Sequence, residues 1–81
     1  YQQISLYPNP SKDEILIASL EFSDRPVQLK IYSTDGKLVL FNQQKPIGNQ
    51  LQLNICGLQN GMYFITIQQE DQFTTLRFLK N

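Results

Sequence analysis

The chain has 81 residues, 41% of them hydrophobic and 17% charged, and its seven basic and seven acidic side chains cancel. That length gives one domain and one core, burying about 60% of the surface the unfolded chain exposes, and the composition excludes a disordered tail. Zero net charge argues against nucleic acid or an anionic membrane as the main partner.

The elements in chain order are all β. Short apolar runs are separated by turn signals at regular spacing, which points to a sandwich or barrel rather than βαβ units. The first predicted strand, residues 3–7, stops at the prolines of Tyr7-Pro8-Asn9-Pro10, because proline fixes φ and removes a backbone donor. The second, residues 14–20, is apolar at nearly every position and is expected to be well buried. The third, Val27–Ser33, alternates: Val27, Leu29 and Ile31 point one way, Gln28, Lys30 and Tyr32 the other.

Thr34-Asp35-Gly36-Lys37 is a hairpin signal, since glycine takes positive φ without a Cβ clash. A return strand over 37–42 and a polar loop containing Pro46 and Gly48 follow. The fifth strand, 50–55, places Leu51, Leu53 and Ile55 inward, and Cys56 continues this apolar run as a small buried hydrophobe. Leu58-Gln59-Asn60-Gly61-Met62-Tyr63 leads into a sixth strand, 62–69, with Tyr63, Ile65 and Ile67 on one face. A tight turn, Glu70-Asp71-Gln72, joins it to the last, 73–80. A tyrosine after a glycine turn near the start of the penultimate strand buries its ring at the corner of a Greek-key sandwich. Its hydroxyl bonds to backbone a few residues upstream. The predicted fold is therefore an immunoglobulin-like Greek-key β-sandwich of about seven short antiparallel strands.

Candidate chemistry is sparse. With no histidine, the Ser-His-Asp triad, the usual cysteine–histidine pair and histidine-ligated metals are excluded, and a single cysteine excludes internal disulfides and thiolate zinc sites. The acids Asp13, Glu14, Glu21, Asp24, Asp35, Glu70 and Asp71 fall in turns or at strand ends, where carboxylates are solvated. They give neither a glycosidase pair nor a dense calcium loop. No phosphate-binding glycine pattern occurs. No catalytic residue, metal, cofactor or small-molecule substrate is expected. Among the aromatics Tyr1, Tyr7, Phe22, Tyr32, Phe41, Tyr63, Phe64, Phe73 and Phe78, Tyr32 and Phe64 face outward. An outward aromatic row suits a carbohydrate- or surface-binding module, although tryptophan is absent.

No apolar run approaches transmembrane length, and the sequence begins at Tyr1 already in strand pattern. It reads as one domain, residues 1–81, from a longer protein.

Four markers stand in order: Pro8-Asn9-Pro10, then Gly36-Lys37, then Gly61 and Tyr63, then Phe78-Leu79-Lys80. In this order and spacing the chain resembles, over its whole length, the type A C-terminal sorting domains of the type IX secretion system of Bacteroidota. The resemblance implies a non-catalytic β-sandwich that directs a larger exported protein from the periplasm through an outer-membrane translocon. It further implies removal by a sortase-like surface protease at or before Tyr1, with the parent released or attached to anionic lipopolysaccharide. The sorting-motif residues carried over are Pro8, Asn9, Pro10, Gly36, Lys37, Gly61, Tyr63, Phe78, Leu79 and Lys80. Asn81 departs from the family's usual basic ending. A carbohydrate- or surface-binding module and a structural spacer are the alternatives.

Overall fold

The computed structural model describes residues 3–81; Tyr1, with the cleavage point expected beside it, lies outside the described residues. Seven strands run in order: β1 (Ser5–Tyr7), β2 (Glu14–Ala18), β3 (Val27–Ser33), β4 (Leu38–Gln44), β5 (Gln50–Asn54), β6 (Gly61–Gln69) and β7 (Gln72–Lys80). They form two antiparallel sheets, one of three strands in the order β1-β2-β5 and one of four in the order β4-β3-β6-β7. No helix occurs among the described residues. The expected all-β, seven-strand architecture is present.

The side-chain period of two creates the core. In β3, Val27, Leu29 and Ile31 are fully buried; β6 contributes Tyr63, Ile65 and Ile67 on the face paired with them, Leu29 opposite Ile67 and Ile31 opposite Ile65. From the other sheet come Ile15 and Ile17 of β2, paired with Leu53 and Leu51 of β5. With Phe22, Ile55 and Phe78 these make one cluster. Each such isoleucine contributes about 1.5–3 kcal/mol through burial, which opposes the chain entropy in a domain that has no disulfide.

The chain changes sheet three times, from β2 to β3, from β4 to β5 and from β5 to β6. The first crossing is tied by a side chain that no periodicity announces. Gln69 is buried at the end of β6; its carboxamide accepts from the Ser23 N–H (3.1 Å) and donates to the carbonyls of Ser23 (3.0 Å) and Arg25 (2.8 Å). Among the described residues no buried side-chain polar atom lacks a partner.

Two burial expectations are corrected. The run 14–20 is not buried throughout: Ile15 and Ile17 are, but Leu16 and Ala18 are half-buried and Leu20 is 84% exposed. The three-stranded sheet has one face on the core, so alternate residues point away whatever their hydropathy. Cys56 is exposed rather than buried. The inward parity of β5 belongs to odd positions, and the strand has ended at Asn54, whose side chain accepts from the Cys56 N–H (2.9 Å) and turns the chain.

Boundaries also move. β1 begins at Ser5 rather than residue 3, and β4 takes Gln43 and Gln44 from the expected loop, its register against β3 shifting at Ile31/Tyr32. Replacing Ile65 with Ala is expected to cost about 2–5 kcal/mol in urea unfolding, whereas Leu20→Ala stays within about 0.5 kcal/mol of the parent chain.

Candidate functional site

β1 ends at Tyr7, where Pro8 begins the corner; the Tyr7–Pro8 and Asn9–Pro10 peptide bonds are both cis. The corner delivers the next residues onto the far end of β7, in the opposite sheet. The Ser11 N–H donates to the Leu79 carbonyl (2.7 Å), and the Asn81 N–H donates to the Ser11 carbonyl (2.8 Å), so that Ser11 lies parallel to Lys80. The Leu79 N–H donates to Asn9 Oδ1 (3.0 Å). Here a carboxamide oxygen stands in for the carbonyl of a neighbouring strand. The Ser11 hydroxyl donates to the Pro8 carbonyl, closing the corner on itself. Ser11 is 1% exposed and Lys80 7%, whereas Asn9 and Asn81 are exposed, so the junction is shielded from water on its Ser11 side and open at Asn9 and Asn81.

The third marker adjoins this junction. Gly61 opens β6 at φ 150°, a conformation that favours glycine, and it pairs with Lys80. Tyr63 pairs with Phe78 and stacks on it, ring centroids 5.7 Å apart and planes inclined by 24°. The Tyr63 hydroxyl donates to the Gln59 carbonyl (2.6 Å), the upstream bond expected of a corner tyrosine. Leu58 packs against the core beneath it. Pro8, Asn9, Pro10, Gly61, Tyr63, Phe78, Leu79 and Lys80 are thus drawn to one end of the sandwich by residues 9–11, 59–63 and 78–81.

Gly36 and Lys37 are placed differently. They lie in the β3–β4 hairpin, where Gly36 has φ 88° and donates to the Ser33 carbonyl (3.0 Å), while the Ser33 N–H donates to the Lys37 carbonyl (2.9 Å). Ser33 is opposite Tyr63, so the hairpin rises from the same end of the four-stranded sheet, but it shares no hydrogen bond with residues 9–11. The Ser33 hydroxyl donates to the Asp35 carboxylate; this bond, helped by backbone N–H groups and by Lys37, holds the carboxyl below its usual range.

Ser11 and Asn81 belong to the junction and carried no signal in the sequence. A serine after Pro-Asn-Pro reads as ordinary turn polarity, and its burial follows from a partner 68 positions away in β7. On the outer face of the four-stranded sheet, Leu38, Tyr32, Phe64 and Arg77 form one cross-strand row. Among the described residues no group of three metal-ligating side chains converges. Of two surface depressions, one is lined by uncharged side chains and the other holds Glu14 as its single carboxylate.

Asn9→Ala removes the acceptor of the Leu79 N–H, and amide hydrogen exchange is expected to accelerate at Leu79 and Asn81 while the Ile65 amide in β6 keeps its protection. A second expectation concerns acid. Because the Asp35 pKa is lowered in the folded state, its contribution is present above the ordinary carboxylate range and is lost as pH falls through the lowered value. Denaturant unfolding at a series of pH values should therefore show the stability difference between the parent chain and Asp35→Asn shrinking as the solution is acidified. A difference that stays constant with pH would remove Asp35 from the hairpin's stability.

Residues 5–81 match the family described as the secretion system C-terminal sorting domain. No curated protein matches the chain. The matched span takes in the cis-proline corner, the Gly61–Tyr63 turn and the whole of β7. The chain belongs to the C-terminal sorting domains of the type IX secretion system.

Proposed function

We propose that this sorting signal directs the polypeptide joined to it from the periplasm through the outer-membrane translocon of the type IX system. A sortase-like surface protease then removes it, leaving the parent free in the medium or attached to anionic lipopolysaccharide. The domain itself performs no catalysis. Export by this route to the cell surface or medium follows from the family; the individual partners are our reading.

One observation supports the choice of the recognised face: the hydrogen-bonded junction of Asn9 and Ser11 with Leu79 and Asn81. A secretion machine serving many cargoes needs a shape that does not depend on the cargo. Main-chain groups held by prolines and by a strand end provide that shape with little dependence on exposed side chains. The pieces are separated by 70 residues, so the surface exists only in the folded domain. In this reading the translocon recognises the Pro8–Ser11 corner together with the end of β7, and the Tyr63–Phe78 stack supports both from below. Gly36 and Lys37 then serve the hairpin rather than the junction.

The test is a fusion of the chain to a periplasmic reporter in a bacterium that has this secretion system. The intact chain is expected to carry the reporter to the surface or medium, and removal of residues 78–81 to leave it in the periplasm with its activity intact. Circular dichroism of the shortened domain separates lost recognition from lost folding. Retention of the intact fusion in the periplasm, beside an exported control, would refute the role.

A further inference from the structure

We propose that the outer face of the four-stranded sheet binds a chain of acidic sugars, with carboxylates held by Lys30 and Arg77 and rings lying on Tyr32 and Phe64. The backbone register builds this face row by row. Leu38, Tyr32, Phe64 and Arg77 are successive partners across β4, β3, β6 and β7. The next row along the strands is Phe41, Lys30, Thr66 and Thr75. Beyond it come Gln43, Gln28, Gln68 and Phe73. These positions alternate with the core residues Ile31, Ile65 and Phe78, so their side chains point away from the core.

A solvated sheet face ordinarily carries polar side chains. Here Leu38, Phe41 and Phe64 are all exposed, Phe41 by 54%. Charge is segregated as well. The three rows hold two cations, Lys30 and Arg77, and no carboxylate. Of the seven acids, Glu14 lies in β2 and the others in turns and loops, and Asp35 in the adjoining hairpin is engaged by the Ser33 hydroxyl. A chain of zero net charge thus presents one positive face. Strand spacing and rise place the Lys30 and Arg77 backbones roughly 12 Å apart, with Phe64 and Thr66 between them.

The form of the apolar surface selects the ligand. It is a strip one residue wide that crosses the strands, with ammonium, hydroxyl and amide groups along its side. A protein partner of ordinary size needs an apolar centre ringed by polar groups, which this strip does not provide. A linear sugar chain is complementary to it. The C–H faces of the sugar rings lie on Tyr32 and Phe64, and their hydroxyls reach Thr66, Thr75 and the glutamines. Carboxylates on the sugars accept from Lys30 and, in bidentate fashion, from Arg77. A neutral glycan would leave both cations unused. The face is flat and has no tryptophan, so a dissociation constant of about 0.1–1 mM is expected.

The test contains no secretion machinery, so its outcome is separate from that of the sorting role. Amide ¹H–¹⁵N spectra of the labelled chain are recorded with oligogalacturonate, oligomannuronate, neutral dextran oligomers and oligoglutamate. At least one acidic sugar should shift the amides of Lys30, Tyr32, Phe64 and Arg77 while leaving Leu16 and Gln52 of the other sheet in place. Phe64→Ala should weaken binding about tenfold. Arg77→Gln should weaken it about two- to fivefold, and added salt should narrow that difference. Ile47→Ser, an exposed change beside β5, should bind like the parent chain. An unmoved Ile65 amide shows that each variant keeps its fold. No shift on this face with either acidic sugar, or equal shifts with dextran, would overturn the proposal. Equal shifts with oligoglutamate would also overturn it, by assigning the face to acidic peptides.

Discussion

The two sheets are held in register at one end by three hydrogen bonds between residues 9–11 and 79–81. Apolar burial alone does not select that arrangement. The hydrophobic effect has no direction, and two one-faced sheets can slide over each other at little cost in buried area. A strand carbonyl shared with Ser11, and a strand N–H satisfied by a side-chain oxygen, do have direction. They fix where the connection leaving β1 must lie relative to β7. Because Ser11 is shielded from water, stranding its N–H is costlier than losing the exposed bond between the Leu79 N–H and Asn9.

The other features near this end support the same few atoms. Phe78, immediately before the junction, is fully buried and carries the Tyr63 ring. Tyr63 is anchored through its hydroxyl to Gln59, which determines how the 55–61 turn returns to β6. Gly61, paired with Lys80, lets that turn open into the strand. The markers that stand far apart in the sequence therefore converge through two strand pairings and one corner. This gives a physical reason for a sorting domain to carry them together.

Much of this was legible beforehand, because it depends on local rules. The alternation of Val27, Leu29 and Ile31 identifies an inward face without knowledge of the partner strand, and Asp35-Gly36 identifies a hairpin. The corner bond of Tyr63 follows from its distance past a glycine turn. What escaped was non-local. Leu20 looks like core until the strand is seen to end at Ala18. Cys56 looks like core until parity is counted through Ile55 and the Asn54 turn intervenes. Ser11 and Gln69 are polar residues made structural by backbone groups far away in the chain, and hydropathy holds no record of that.

If the junction is what the machinery reads, export should follow the local opening of that junction rather than the stability of the whole domain. The direct measurement compares exported reporter with amide protection at Leu79 and Asn81 across variants matched in global stability. Some should be weakened at Asn9 or Ser11 and others in the core at Ile31 or Ile65. Export is expected to fall with lost protection at the junction and to be indifferent to equal losses in the core. Export that tracks global stability alone, with junction and core variants on one line, would contradict it.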